Sequence, residues 1–330
     1  MNVTFLYRAP GRFSIERVFD TIEEELKGKK VSIEKVYMPC RRVTLKAILR
    51  NILYAHKNSK GVIQITGAID YVLLGVNRKK TVLTVHDFRL NNEKKLTKRF
   101  FYSILWHYIP FKLAKVITCI SEKTKSDICE KYPWSDKKIK VIYDPYSKQY
   151  TPSAKVFNND NPTILHIGTR ENKNLPRVIE ALKEIKCTLR IIGDLSNEML
   201  EMLKESGINY TNAVGISNEQ MVEEYKNCDV VSFPSLYEGF GMPIIEGQAT
   251  GRIVVTSSLA PMSEIGADSV IYVNPSDVRS IREGFETAIY NKEVRERLIL
   301  KGYENVERFT AENVASQYLK IYQELEGGQN

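Results

Sequence analysis

Two doubly wound, Rossmann-like α/β domains are predicted by three features of this sequence. Short apolar, β-rich runs alternate with helix-period segments through most of the 330 residues, the pattern of parallel strands joined by crossover helices. The alternation lapses from Asp144 to Pro162 into Pro, Ser, Asn, Asp and Lys, a composition that punctuates rather than packs. The chain is also longer than the roughly 100–200 residues of one domain. The expected division is one domain over 1–150, a second over 151–310, and a closing helix over 311–330 that packs back across the boundary.

In the first half, Val3–Tyr7, Val31–Tyr37, Val62–Thr66, Thr81–Val85, Val116–Ile120 and Ile139–Ile142 read as strands. They are short and mostly rich in apolar, β-branched or aromatic residues. Leu45, Ile48, Leu49, Ile52 and Leu53 recur at three- and four-residue intervals, so they share a helical face, with Arg42, Lys46 and Arg50 elsewhere on that helix. After the lapse come strands at Thr163–Ile167, Thr188–Ile192, Val230–Phe233, Ile253–Thr256 and Val270–Val273, with helices at Leu175–Ile185 and Asn218–Cys228. Ser217 and Gln220 stand at capping-box spacing ahead of the latter. Ala311–Leu325 is a final helical segment. In such a fold the ligand lies in the crevice facing the carboxyl ends of the strands.

Composition narrows the class. Hydrophobic residues at 43% and charged residues at 27% are ordinary for a folded globular chain and argue against wholesale disorder. Cys40, Cys119, Cys129, Cys187 and Cys228 are odd in number, scattered and without metal-ligand spacing, as buried thiols in a reducing compartment would be. The short apolar run Val3–Tyr7 lacks the basic n-region and long apolar stretch of a signal peptide, so none is expected; no uncharged apolar run approaches the ~18 residues of a membrane span, and a cytoplasmic location is expected. The net charge of +8 favours a polyanion: nucleic acid, an anionic membrane surface or a diphosphate-bearing substrate. The excess is concentrated in Arg41–Lys60 and Glu93–Lys115.

The chemistry is densest between Val230 and Gly251. There a buried strand runs into a loop carrying Glu238, Gly239 and Gly241, and Pro243 and Gly251 suit the start and end of a following helix. Amides at Phe240 to Met242 would point from that helix N-terminus toward a phosphate or hydroxyl-rich ligand. Two glutamates eight positions apart say little alone, since such a pair usually lies on a solvated face. With the Gly-Phe-Gly-Met-Pro loop and short helix between them, the segment resembles glycosyltransferase family 4, retaining enzymes of the GT-B fold with an E-x7-E signature. The resemblance implies two Rossmann-like domains across a cleft, the first on the acceptor side and the second binding a nucleotide sugar. It also implies that Glu238 contacts the transferred sugar, that Glu246 accepts from ribose hydroxyls, and that Gly239, Phe240, Gly241 and Met242 line the donor.

Leu165–Leu182 resembles the segment that opens the family's C-terminal domain, where an arginine and a lysine bind the donor diphosphate. Lys173 matches the lysine. Arg170 is placed as the arginine although its spacing to Lys173 departs from the commonest pattern, which leaves a solvated loop arginine as the alternative. Thr84–Asp87 resembles the family's His-Asp corner and assigns His86 to the donor sugar, whereas His56, His107 and His166 are expected to be structural or surface residues. Arg8–Ser14 is similar to bacterial members that build O-antigen or capsule; Gly11 would let the backbone approach a diphosphate or acceptor, or simply make a turn. Ser121 is expected to cap a helix. Gly215 and Ile216 occupy the place where the family holds the nucleotide base through main-chain atoms, which leaves uridine and guanosine undistinguished.

The resemblance therefore implies a retaining hexosyltransferase that uses a UDP- or GDP-sugar and a saccharide acceptor, here expected to be lipid-linked, in cell-surface polysaccharide biosynthesis. The chain contains no Asp-x-Asp, so no essential metal and no cofactor beyond the donor are expected. Phe101–Phe111, flanked by Lys98, Arg99, Lys112 and Lys115, combines aromatic and basic residues as interfacial segments do. With the basic helix around Arg41–Lys57 it points to peripheral attachment on the inner face of an anionic membrane; a buried helix with a solvated edge is an equal alternative. The rivals are another GT-B activity, epimerase or phosphorylase, and a non-catalytic nucleic-acid- or membrane-binding protein. The apparently complete donor motif argues against the latter, and no nucleic-acid partner is expected.

Overall fold

Continuous apolar runs become parallel strands. The computed structural model describes residues 1–10, 14–88 and 100–327. In it β1 (Asn2–Tyr7), β2 (Ser32–Tyr37), β3 (Val62–Ile65), β4 (Thr81–Val85), β5 (Val116–Cys119) and β6 (Ile139–Val141) form one sheet, ordered β2-β1-β3-β4-β5-β6. A second sheet, ordered β12-β11-β10-β7-β8-β9, contains β7 (Thr163–Ile167), β8 (Thr188–Ile192), β9 (Asn209–Ala213), β10 (Val230–Phe233), β11 (Ile253–Ser257) and β12 (Ile271–Val273). All pairings are parallel. β3, β4, β10 and β11 are buried at every position, as inner strands covered by crossover helices must be.

β9 falls outside the predicted strands for a physical reason. It is an edge strand of Asn, Tyr, Thr, Asn and Ala with no fully buried residue, so it carries no apolar run to read. Its place is set by register with β8, from Thr188 opposite Asn209 to Ile192 opposite Ala213.

The chain divides into one unit of Met1–Pro145 with Thr310–Asn330 and another of Tyr146–Phe309. The segment expected to be a linker is largely part of the second unit. The Asp229 carboxylate accepts from the amides of Asn158 and Thr163 at 3.1 and 2.8 Å and pairs with Lys155. A buried carboxylate needs such partners, and so the stretch before β7 is tied down.

The last helix, Ala311–Gly327, belongs to the first unit. Its Val314, Ala315, Tyr318, Ile321, Tyr322 and Leu325 pack with Phe5, Tyr7, Phe19 and Ile22 in one buried cluster. Tyr322 Oη donates to Gln64 Oε1 at 3.0 Å. Burying a large aromatic side chain contributes roughly 1.5–3 kcal/mol, so this helix supplies a substantial part of that cluster. The segment read as a basic-aromatic surface is partly core: Trp106, Pro110 and Phe111 are buried, and Trp106 Nε1 donates to Ala68 O at 3.2 Å. Phe101 and Tyr108 remain exposed; Lys98 and Arg99 lie outside the described residues.

Candidate functional site

In a doubly wound sheet the crevice opens where successive connections leave in opposite directions. In the second unit that point lies between β7 and β10. The loops after those two strands carry Lys173 and Glu238, and the structure brings them together: Lys173 Nζ donates to Glu238 Oε1 at 2.7 Å. Both side chains stay partly accessible, at 20% and 16%. The ion pair is therefore reachable by a ligand.

The backbone around Lys173 explains how it is held. Gly168, at φ +88°, ends β7, and a Cβ there would come within 3.0 Å of Lys173 Cγ. Glycine thus supplies both the left-handed turn and the space for the lysine stem. The ammonium sits 4.7 Å from the centre of the Phe233 ring on β10, a cation–π contact. Asn172 Nδ2 donates to Glu238 Oε1 at 3.0 Å and to Tyr237 O at 3.2 Å, while Leu236 N donates to Asn172 O at 2.9 Å. Asn174, at φ 66°, donates from Nδ2 to Pro234 O and Pro275 O at 3.0 and 2.7 Å. The two loops are stitched to each other, so charge is fixed before a ligand arrives.

Gly241 is the N-cap residue of the helix Met242–Ala249, with Pro243 in its first turn. Gly239 and Met242 are half-buried, and Phe240 is buried with its ring edge-on to Phe309 at 5.8 Å. Phe240 thus serves the core through its side chain and can meet a ligand only through its backbone. Glu246 lies one turn into this helix and accepts from Tyr225 Oη at 2.6 Å. Burial first, and then the Glu246 charge, raise the Tyr225 pKa well above its usual value. A neutral phenol therefore orients this carboxylate.

Arg170 is exposed, ahead of the short turn Glu171–Lys173. Gly215, at φ +64°, and half-buried Ile216 follow β9 and lead into the helix Asn218–Asn227, whose Ser217–Gln220 capping box forms. His166 on β7 is buried, with Nδ1 3.1 Å from Ser232 Oγ. Burial, and secondarily Lys173, lower its pKa to about 3. It is a neutral structural residue.

In the first unit the switch point lies between β1 and β3. Gly11, expected there, lies outside the described residues. His86 follows β4, its Nε2 2.9 Å from Thr66 O and its Nδ1 3.6 Å from Asp144 Oδ2. Gly67, at φ +123°, makes room for the ring: a Cβ there would meet His86 Cδ2 at 2.9 Å. Beyond β3, Asp70 is buried with Oδ1 lacking a hydrogen-bond partner. Burial raises its pKa to about 7.

Sequence reasoning did not single out Asn172, Asn174, Tyr225 or Asp144. The two asparagines lie inside the quoted Lys173 segment and were legible as turn-formers. Tyr225 and Asp144 reach their partners from distant positions and leave no local pattern.

The fold is that of the GT-B class. A glycosyltransferase from Rickettsia africae superposes with TM-score 0.81 over 99% of both chains at 17% identity. Anabaena HepE, solved with UDP and glucose, superposes with TM-score 0.76 at 14% identity, over 97% of this chain and 98% of that one. Residues 148–305 match the family described as Glycosyl transferases group 1. The Escherichia coli O-antigen chain mannosyltransferase B is 25% identical over 235 residues, covering 64% of this chain and 61% of that protein. The chain spans about 60% of the length of several curated relatives it matches.

Proposed function

We infer that this chain is a retaining glycosyltransferase that moves a hexosyl group from a UDP- or GDP-linked donor to a saccharide acceptor, lipid-linked and serving cell-surface polysaccharide assembly. The observation that carries the reading is the Lys173–Glu238 pair, 2.7 Å apart at the switch point of the family-matched unit. Two features support it: Glu246, held by Tyr225 on the adjoining helix, and the relative solved with UDP and glucose.

Leaving-group departure builds negative charge on the diphosphate, and a positive group already in place stabilises it more than one recruited during the reaction. Lys173 fills that role, with exposed Arg170 and the Gly239–Met242 backbone beside it. Glu238, itself held by Asn172, keeps the ammonium in position and offers its carboxylate to a sugar hydroxyl. Glu246 takes the ribose hydroxyls, and the Gly215–Ile216 backbone takes the base. His86, oriented by Thr66 O and Asp144, is the first-unit residue proposed to serve the donor sugar. The departing phosphate, rather than a protein carboxylate, assists acceptor deprotonation. Transfer is proposed to need no metal, a reading that rests on the absence of Asp-x-Asp and on this cationic set. The reaction takes place on the cytoplasmic side, the enzyme attached peripherally to the membrane; no helix of the described residues is long and apolar enough to cross one.

Calorimetric titration with UDP, GDP and their sugar conjugates tests donor binding, which should also raise the unfolding temperature by mass action. Transfer to a lipid-linked saccharide should then proceed with retained anomeric configuration in the presence of a chelator. Epimerisation without an acceptor, dependence on free phosphate, or failure of every nucleotide to bind would overturn the reading.

A further inference from the structure

The helix Leu45–Asn58 in the first unit plays no part in the donor site, and its packing departs from its sequence pattern. The apolar face expected of Leu45, Ile48, Leu49, Ile52 and Leu53 is split. Ile48 is buried and Ile52 half-buried, whereas Leu45, Leu49 and Leu53 are 72%, 58% and 60% exposed. Asn51, on the opposite side, is fully buried. Its amide donates to Cys40 O at 2.9 Å and Tyr71 Oη at 2.7 Å, and its carbonyl accepts from Cys40 N at 3.0 Å. A buried amide is costly unless those bonds are made, so Asn51 sets the rotation of the helix. Thr44 caps the first turn, and His56 Nδ1 meets Gly75 O at 2.8 Å near the end. The leucines cannot turn inward without orphaning Asn51.

Helix geometry then decides what flanks them. At about 100° per residue, Lys46, Arg50 and Lys57 fall together along one edge of the Leu45–Leu49–Leu53 ridge. All three are exposed, as are Arg41, Arg42 and Val43 just ahead of the helix. From Val36 to Ile69 the sequence holds six lysines and arginines and no aspartate or glutamate. Single exposed leucines are ordinary, but a contiguous ridge marks an interaction surface. An aliphatic ridge with an unbroken cationic edge matches a surface that is apolar beneath and anionic at its rim, which is a bilayer of acidic phospholipid. A symmetric contact between two copies would instead bring these cationic edges together.

We propose that Leu45, Leu49 and Leu53 insert into the interfacial layer of an anionic bilayer while Lys46, Arg50 and Lys57 meet lipid phosphates, docking the first unit on the membrane. This rests on the reading of the chain as a peripheral enzyme with a lipid-linked acceptor. It adds which surface docks, and that aliphatic insertion holds it as well as charge. Both parts are needed, because one weak anchor gives only marginal, reversible binding.

Sedimentation of the full chain with phosphatidylcholine vesicles, with or without roughly one-third phosphatidylglycerol, tests the assignment. The wild type should bind the anionic vesicles. The variant L45S/L49S/L53S should lose binding about 10-fold or more at every salt concentration. The variant K46Q/R50Q/K57Q should bind more weakly at low salt and approach the wild type at high salt, where screening removes the electrostatic part. Since every substituted side chain is exposed, both variants should keep the wild-type circular dichroism, thermal midpoint and nucleotide affinity. Equal binding by the leucine variant, or no binding by the wild type, would overturn the proposal. So would a lipid-free dimer that the leucine substitutions abolish, which would make this face a contact between copies. If nucleotide sugars bind and vesicle docking fails, the docking surface alone is wrong; if leucine-dependent docking persists without nucleotide-sugar binding, the donor reading alone is wrong.

Discussion

Each unit builds a six-stranded parallel sheet with one switch point, yet the loops at the two switch points are held in different ways. Between β7 and β10 the side chains hold one another: Lys173 on Glu238, Asn172 on Glu238 and Tyr237, Asn174 on Pro234. In the first unit the placed site residue, His86, is held by a backbone carbonyl and faces Asp144. That unit is completed by a helix from the far end of the chain and carries an unburied leucine ridge. A loop that must hold charge steady for a leaving group benefits from such cross-bracing. On the proposed reading the first unit meets the acceptor and a membrane surface, and has no equal need of it.

The largest effect is expected at Lys173. Lys173→Ala should lower kcat/KM by about 100-fold or more with little change in thermal stability, whereas His86→Asn should cost about 10-fold. Initial rates on an identified donor and acceptor check this. The reverse order would place the critical charge in the first unit. Because Lys173 and Glu238 share one ion pair, Lys173→Ala and Glu238→Gln should also be non-additive in a double-mutant cycle.

Acid should separate the units next. Burial lowers His166 in the second unit to about 3, and burial with Lys131 lowers His107 in the first to about 4. An unfolded imidazole titrates near ~6.5, so the stability these neutral residues confer is complete above that pH and is lost as pH falls toward their folded values. Asp70 in the first unit works the opposite way. With its pKa raised to about 7 by burial, its contribution is complete below ~3.9 and is lost as pH rises through about 7. From pH 7 to pH 5 the two therefore oppose each other in the first unit, while in the second His166 acts in one direction. Hydrogen exchange should show the second unit loosening first, by on the order of 1–2 kcal/mol. Equal loosening, or earlier loosening of the first unit, would refute this balance.

The smallest effect sharpens the division of labour within the second unit. Glu246→Gln should weaken bare nucleoside diphosphate binding by about 1 kcal/mol, roughly fivefold, because an amide still accepts one bond but without charge assistance. Tyr225→Phe should weaken it less, by releasing Glu246 rather than removing it. Calorimetry on both variants checks the order. Unchanged affinity in Glu246→Gln would remove that residue from the nucleotide site.

The inner strands were legible because a strand buried on both faces has to be written as a largely apolar run. The capping box of Ser217 and Gln220 and the loop from Glu238 to the Met242–Ala249 helix were legible for a similar reason: their partners lie within a few residues. β9 was not, because an edge strand buries too little to constrain its sequence. Nor does helical periodicity say which part of an apolar face turns inward. Leu49 and Ile48 read alike on one face, and only the bonds of Asn51 to Cys40 and Tyr71 decide that Leu49 meets solvent. The pairing of Lys173 with Glu238 and the hold of Tyr225 on Glu246 likewise belong to tertiary structure. A sequence sets each residue's local period and chemistry, but its partner across tens of residues is settled by how the sheets and helices close around it.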